Sequence, residues 1–600
     1  MKYASRIIAF ILCIILTTGV LSACAGSSGT QNKDTTADAS GTPQETAEES
    51  VRIPDTSDST VITLSGESAA VSGSGAEAGN GTVTITDGGT YLITGELSEG
   101  RILVNAPEKE VTIVLENAGI RCTYGSPIYI YQSRLTTLCL AEGTTNTLTD
   151  GSEYTFSDSF SSSVDEEPNA CLYSKSDLVI AGSGRLIVNA NYNNGITSKD
   201  TLKIEAASIA VTAKNHGING KDCCVIQNAA IQVTSGGDAL RSTNDSDAAL
   251  GYIAITDSSL NLTAGEDGVQ AETSLTISGG TCNVTSGGGS SGSAASDTSA
   301  KGLKGGTSVT LKSGEYTLDC YDDAIHANGN VLISGGTYAI TTADDGIHAD
   351  ENAAITDGTI HISQSYEGIE GTSVDISGGT IRIVASDDGI NAAGGMDQSG
   401  FGPRQDRFAS SSDNYINISG GSITVDASGD GVDANGSITV SSGELYVSGP
   451  TDNGNGALDY DGTATITGGI VVAAGPSGMA QNFGNSSTQG SILLAFSAYS
   501  TETITLKDAS GNTLVSYSPS KRYNCVVISC PSITTGNTYT VEACGQTSSV
   551  TMSSLIYGDS GGMGGPGGMG GPGDMGNPGD MGGPGGMGGP GGMGGPGGRP

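Results

Sequence analysis

Acidic residues recur at a regular interval in the middle of this sequence, at a spacing that suits cation binding. Asp323, Asp345, Glu367 and Asp388 are separated by 22, 22 and 21 residues. If they stack on neighbouring strands about 4.8 Å apart, their bare carboxylates repel one another. Two oxygens on opposite sides of a Ca²⁺ ion are roughly 4.8 Å apart, because each lies about 2.3–2.6 Å from the ion. We therefore expect Ca²⁺ along this acidic ladder, with the following candidate ligands: Asp322, Asp323, Asp344, Asp345, Glu367, Asp387, Asp388, Asp430 and Asp433.

The same residues also suit a structural role. An Asp before glycine commonly forms a hydrogen-bonded turn, and this alternative stays open for the whole ladder. His326 and His348 also align, 22 residues apart. Two histidines without a third firm ligand are weak support for a transition-metal site, so we expect a stacked pair in contact with solvent.

The acidic ladder belongs to a repeated turn in which a small residue follows the acidic one. Glycine at this place suits a sharp corner with positive φ. A second turn runs in phase with the first, as in Ile333–Thr337 and Ile376–Thr380. The small residue of the first turn occurs at positions 195, 217, 239, 268, 302, 324, 346, 368, 389, 431 and 457.

Short runs of alternating polar and apolar residues lie between the turns, such as Thr359–Ile362 and Thr380–Ile383. Alternation with period two indicates strands with Ile inside. Strands this short are stable only when they stack on one another. The sequence therefore predicts an all-β fold, a parallel β-helix of about 22 residues per coil, right-handed by the crossover rule. A β-propeller would need a period near 40 residues.

The repeat divides the chain into regions. We expect the regular β-helix over 166–485, first coils or a cap over 56–165, and a small C-terminal β cap over 486–557. Residues 24–55 are typical of a disordered tether, and 558–600 of a disordered Gly/Pro/Met-rich tail. Residues 1–23 are typical of a lipoprotein signal peptide, with lipidation at Cys24. The predicted location is extracellular, anchored to the outer face of the bacterial cytoplasmic membrane by this lipid only.

The composition limits the partners. The net charge of −39 disfavours nucleic acid and anionic lipid, and favours cations. There is no Trp, which argues against strong stacking on crystalline cellulose. Twelve cysteines in an exported chain leave both disulfides and free buried thiols open.

Three insertions lengthen the repeat close to the acidic ladder, at about 242–252, 287–300 and 393–414. Insertions gathered on one side of a repeat protein often mark its binding face. The last insertion concentrates aromatic and basic residues that could contact a sugar chain. A loop that folds its own Phe residues onto the coil is an equal alternative. The candidate ligand-binding residues are Phe401, Arg404, Arg407, Phe408, Lys301 and Lys304.

Several motifs resemble a family of clostridial cell-surface, carbohydrate-binding β-helix lipoproteins. They are Gly89–Gly95, Ile102–Ala106, Leu140–Leu148, the Asp-Asp-Gly-Ile turns and Pro519–Lys521, in an order that spans roughly residues 60–557. The resemblance implies a right-handed parallel β-helix, bound Ca²⁺, and binding of cellulose or an acidic polysaccharide such as polygalacturonate. Only the Asp-Asp-Gly positions carry over, as metal candidates.

We expect a non-catalytic polysaccharide-binding protein. The first alternative is a Ca²⁺-dependent pectate lyase-like or polygalacturonase-like enzyme, for which Lys301, Lys304 and Arg382 are the available basic residues. A catalytic Asp pair should be unique, however, whereas Asp-Asp recurs on three coils. The second alternative is a structural adhesin or spacer without a sugar ligand.

Overall fold

The computed structural model describes residues 54–293, 298–393 and 413–558. Within these ranges the chain forms strands, turns and bends and contains no helix, so the predicted all-β class is confirmed. No described segment is therefore a helix long and apolar enough to cross a membrane. The predicted signal peptide and Cys24, nearly all of the predicted tether and the predicted tail from residue 559 onward lie outside the described residues.

Most strands lie in three rows, in which each strand pairs in parallel with its equivalent in the next repeat. The first row contains Thr82–Ile85, Arg101–Asn105, Ile128–Gln132, Ala170–Ser174, Asn194–Ser198, Ile218–Gly220, Leu240–Arg241, Val269–Ala271, Leu303–Gly305, Ile325–Ala327, the starts of Ile347–Gln364 and Ile369–Ile376, Ile390–Ala392, Val432–Ala434 and Asp459–Tyr460. The second row contains Leu135–Leu140, Leu178–Ala181, Thr201–Glu205, Cys223–Gln227, Tyr252–Thr256, Tyr415–Ile418, Ser437–Val440 and Ala464–Ile466. The third row contains Thr145–Asp150, Arg185–Ala190, Ser208–Ala213, Ala230–Ser235, Ser259–Ala264, Thr380–Ala385, Ser422–Ala427, Glu444–Ser448 and Ile470–Gly475.

Long strands run round the corner between the second and third rows. They are Gly89–Leu97, Glu110–Cys122, Ser274–Ser286, Ser308–Cys320, Asn330–Thr342 and the later part of Ile347–Gln364. Because Glu110–Cys122 and Ser274–Ser286 each pair with strands of both rows, they join these rows at two levels. The pairings between these two levels form a closed ring of 12 strands.

Antiparallel strand pairs occur at both ends of the described chain. At the N-terminal end, Thr60–Gly66 pairs with Ser68–Ser72, and Ala76–Gly79 pairs with Thr82–Ile85. At the C-terminal end, Tyr523–Ser529 pairs with Ile470–Gly475 and Ser491–Ser500, and the latter pairs in parallel with Ile556–Tyr557. A separate four-stranded antiparallel sheet has the order Thr513–Tyr517, Ile504–Lys507, Thr538–Ala543, Gln546–Thr551.

The inward side chains of the three rows form one apolar core. Alternate residues are buried along the strands, as in Ser259–Ala264, because successive side chains of a strand point to opposite faces. Ile360 and Ile381 lie inside as predicted. Tyr316 and Tyr338 are also buried in this core, with ring centroids 4.5 Å apart.

The glycines of the acidic turn serve close packing, and the predicted positive φ is wrong for them. Gly346 and Gly389 do not have positive φ. A Cβ on Gly346 would lie 2.6 Å from the carbonyl oxygen of Gly368 in the next repeat. Ala324 occupies the same place in another repeat, so a methyl group is the upper limit. Positive φ occurs instead in the second turn, as at Gly358 (φ 125°).

The described cysteines form no disulfide. All ten are buried, including the adjacent Cys223 and Cys224 and the close pair Cys525 and Cys530. The remaining two, Cys13 and Cys24, lie outside the described residues.

Candidate functional site

The first row presents one outward side chain per repeat, and these side chains stack into a column. The strand register places equivalent residues opposite one another from repeat to repeat. We call this set the outer column: Tyr129, Tyr173, Thr197, Asn219, Arg241, Gln270, Lys304, His326, His348, Glu370, Asn391, Asp433 and Asp459.

The acidic ladder lies at the corner that leads into this row. In three of its carboxylates, one oxygen accepts a hydrogen bond from the backbone of the equivalent residue in the next repeat. The Asp323 Oδ1 accepts from the Asp345 amide (3.1 Å), and the Asp345 Oδ1 accepts from the Glu367 amide (3.0 Å). The Asp388 Oδ1 accepts from the Asp430 amide at 2.6 Å. The turn-forming role considered from the sequence is therefore real, and it occupies one oxygen of each of these three carboxylates.

Lys301 supplies a positive charge to the middle of the ladder. Its Nζ lies 2.8 Å from Asp322 Oδ1 and 2.6 Å from Asp323 Oδ2, and the residue is 1 % exposed. Burial alone would raise the pKa of Asp323, but the Lys301 ammonium and the His326 ring hold it well below its usual range. Lys301 is thus a buried partner of the ladder, not an exposed group facing a ligand.

His326 and His348 stack as expected, with ring centroids 5.0 Å apart, but both are buried, so the expected contact with solvent is wrong. His348 Nδ1 lies 2.8 Å from Glu370 Oε2 and 3.2 Å from Asp345 Oδ2. Its Nε2 lies 3.2 Å from Asp350 Oδ1. Burial lowers the pKa of His348, but hydrogen bonds to these three carboxylates outweigh burial and raise it well above its usual value. The ring therefore acts as a second internal cation.

The later repeats carry carboxylates without such a cation. Asp388, Asp430 and Asp433 each offer an oxygen, and these oxygens lie within 4.8 Å of one another. Across the described ranges, no ion pair joins these three residues to a basic side chain. Burial, followed by repulsion from neighbouring carboxylates, raises the pKa of Asp388 and Asp430 to about 7 and that of Asp433 to about 8.

Asn391 adds a neutral oxygen beside this acidic group, and the sequence argument missed it. The residue is 5 % exposed and lies between Glu370 and Asp433 in the outer column. Its Nδ2 donates to Glu367 Oε2 at 2.7 Å, and its Oδ1 is buried without a hydrogen-bond partner. Its position in the Asp-Asp-Gly-Ile-Asn motif, where the earlier repeats have His, was the available signal.

The donor set of this group is chemically uniform. Three carboxylates and one amide oxygen are hard oxygen donors, which Ca²⁺ prefers. The residues therefore fit a Ca²⁺ ion better than a transition metal, which favours imidazole or thiolate. Asp322, Asp323 and Asp344 also offer oxygens within 4.8 Å of one another, but the Lys301 ammonium already contacts the first two. Asp387 is half-buried next to Asp388.

The remaining predicted site residues divide in two. Lys304 belongs to the outer column, with Nζ 3.1 Å from Ser299 Oγ and 3.5 Å from Asp267 Oδ2. It lines a polar pocket of about 430 Å³. The other predicted ligand-binding residues, Phe401, Arg404, Arg407 and Phe408, lie outside the described residues.

Fold and site together define a repetitive all-β protein with one extended polar face. The chain belongs to the family of carbohydrate-binding domain-containing proteins, whose model matches residues 79–346, 328–401 and 345–513.

Two known proteins are similar to parts of the chain. A carbohydrate-binding domain-containing protein from Acetivibrio thermocellus is 42 % identical over 132 residues, which are 22 % of this chain. The match spans 45 % of that relative's length. A solved polysaccharide lyase-like protein from C. thermocellum, a gadolinium derivative, is 26 % identical with a TM-score of 0.34. That match covers 47 % of this chain and 93 % of the solved one.

Proposed function

We propose that this protein is a non-catalytic polysaccharide-binding protein of the cell surface, assisted by Ca²⁺. The observation that carries the proposal is the overlap between the family match, residues 79–513, and the repeats that present the outer column. Polygalacturonate and cellulose are the two ligands to test first, since the motif resemblance implies both.

We infer that the three rows are the faces of a right-handed parallel β-helix. Each strand of a row pairs with the strand one repeat later, and successive strands of one repeat belong to different rows. Such stacking buries one continuous core, and parallel crossovers are nearly always right-handed.

For the Ca²⁺ site we propose Asp388, Asp430 and Asp433, with Asn391 Oδ1 as a neutral ligand. We choose this group over Asp323 and Asp345 because those two residues already contact basic side chains of the protein. Asp323 contacts Lys301 and His326, and Asp345 contacts His348. A bound Ca²⁺ would supply the missing positive charge and could bridge the protein to the carboxylates of an acidic polymer.

The surface location rests on the N-terminal residues. We propose that residues 1–23 direct export and that a lipid on Cys24 holds the protein at the outer face of the cytoplasmic membrane. Labelled palmitate should enter the wild-type protein in growing cells and should not enter a Cys24→Ala variant.

An enzyme remains the second candidate because of one observation. A carboxyl group with a pKa near 7 is a suitable general acid, and the pKa of the half-buried Asp388 and Asp430 is raised to about 7. A pectate lyase-like or polygalacturonase-like activity would release unsaturated or reducing sugar, whereas a binding protein would not.

Co-sedimentation separates these functions. The signal-free protein is mixed with polygalacturonate or cellulose, in Ca²⁺ and then in chelator, and the supernatant is assayed for released sugar. We expect binding to polygalacturonate in Ca²⁺ that chelator abolishes, with no sugar released. Asp433→Asn should lose this binding, while Asp357→Asn, in an exposed turn, should retain it. Released sugar would favour the enzyme, and no binding to either polymer would favour a spacer.

A further inference from the structure

A polar pocket lies on the outer column, far along the chain from the proposed Ca²⁺ site. Its lining includes Arg241, Gln270 and Lys304, which occupy successive repeats of the column. Glu266 and Glu272 also belong to the lining. The volume of about 430 Å³ lies within the range of small-molecule sites, about 300–1,000 Å³.

Its basic side chains are held in place by contacts with His216 and with other residues of the lining. Arg241 Nη1 lies 2.6 Å from His216 Nε2 and 3.3 Å from Asp238 Oδ2, while the Arg241 Nε is buried without a hydrogen-bond partner. Lys304 Nζ donates to Ser299 Oγ, and that hydroxyl donates to Asp267 Oδ1 at 2.7 Å. The donors are therefore oriented before any ligand arrives.

The lining contains both donors and acceptors. Arg241 and Lys304 only donate, the Gln270 amide does both, and ionised carboxylates only accept. A hydroxyl group donates and accepts at once, so a ligand with several hydroxyls matches this mixture. An anion does not match it, because four carboxylates of the lining face only two basic groups. Burial and the neighbouring Asp238 raise the pKa of Glu266, which reflects the same excess of negative charge.

We propose that this pocket binds one uncharged sugar unit through its hydroxyl groups, with Gln270, Glu272 and Lys304 in contact with the sugar. The inference rests on the proposed polysaccharide-binding function. It assigns two different ligands to two parts of the outer column. The pocket takes the neutral unit, and the acidic end, through Ca²⁺, takes the charged polymer.

Calorimetric titration with a neutral probe, cellohexaose, and an anionic probe, hexagalacturonate, tests the division in the full mature chain. Gln270→Ala and Glu272→Gln should each weaken cellohexaose binding about tenfold, or 1.4 kcal/mol. Both should leave hexagalacturonate binding unchanged. The matched control is Gln232→Ala, an exposed outward residue of the third row, which should change neither. Unchanged thermal unfolding of the variants confirms that their folding is intact.

Three outcomes would overturn the inference. Equal cellohexaose affinity in all variants would remove the pocket from the binding site. Loss of hexagalacturonate binding in the pocket variants would assign the pocket to charged sugars. Loss of cellohexaose binding in chelator would show that the pocket binds the sugar through a cation, held by His216, Asp238 and Glu266. If the wild type binds hexagalacturonate but no cellohexaose, only this inference fails; if it sediments with neither polymer, the proposed function fails as well.

Discussion

Replacing Asp433 by Asn tests whether the acidic end of the outer column needs an external cation. The pKa of Asp433 in the metal-free protein is raised to about 8, chiefly by burial and then by Asp430, Asp388 and other carboxylates. A carboxyl group with a raised folded pKa contributes stability at low pH, and this contribution is lost as pH rises through the folded pKa. In chelator, the wild type should therefore lose stability between about pH 4 and pH 8.

The size of the effect follows from the shift. From 3.8 to about 8 is about four pKa units, or at most about 6 kcal/mol at 1.36 kcal/mol per unit. Asp388 and Asp430 share the same repulsion, and Asp433 keeps some contact with solvent, so we expect about 2 kcal/mol for this residue alone. In chelator, Asp433→Asn should be more stable than the wild type by this amount at pH 8.5, and by much less at pH 4.5.

Ca²⁺ should reverse the order of the two proteins. At a hundredfold excess over its dissociation constant, the ion stabilises the wild type by about 2.7 kcal/mol, and it should have little effect on the variant. Urea unfolding followed by circular dichroism, at both pH values with Ca²⁺ or chelator, measures all of these differences. Asp357→Asn is the isosteric control. The reasoning is refuted if Asp433→Asn is no more stable than the wild type in chelator at pH 8.5, or if Ca²⁺ stabilises both proteins equally.

Two further substitutions test the interior of the repeats. Lys301→Met should destabilise the protein by about 3–5 kcal/mol, because the buried Asp323 would lose the Lys301 ammonium and keep only the His326 ring as a cationic partner. Urea unfolding should show almost no change for Lys312→Met, an exposed control. Gly389→Ala should cost about 1–3 kcal/mol, because its Cβ would overlap the next repeat, with a carbonyl oxygen 2.6 Å away. Gly79→Ala, with no atom within 4 Å of the added Cβ, should be nearly neutral in the same assay, and equal losses for both variants would contradict the packing argument.

Much of the site was predictable because parallel pairing converts sequence intervals into stacked positions. The spacing predicts that the four acidic residues of the ladder lie at one corner, and hydrogen bonds join successive members of this set in the structure. The four residues are Asp323, Asp345, Glu367 and Asp388. The alignment of His326 with His348 follows from the same register. Any residue whose position depends only on the repeat could be placed in this way.

Partners and burial were not predictable in the same way, because they depend on where side chains point. Lys301 follows an insertion and reads as an exposed base, yet it occupies the ladder position itself and points into the corner. The glycines of the acidic turn read as residues of positive φ, but the neighbouring backbone is what excludes a side chain. In both cases the decisive contact comes from the next repeat.

The outer column explains why the proposed cation site lies at one end of the ladder. The residue three positions after the acidic one is His in two repeats and then Glu370, Asn391 and Asp433. An imidazolium in this place supplies a positive charge to the ladder, as His348 does between Asp345 and Glu370. Asn supplies an oxygen but no charge, and Asp adds a second negative charge. The early repeats therefore contain their own positive charge, whereas the later repeats need a cation from solution. Restoring a histidine, by Asp433→His, should weaken Ca²⁺ binding and stabilise the metal-free protein at neutral pH.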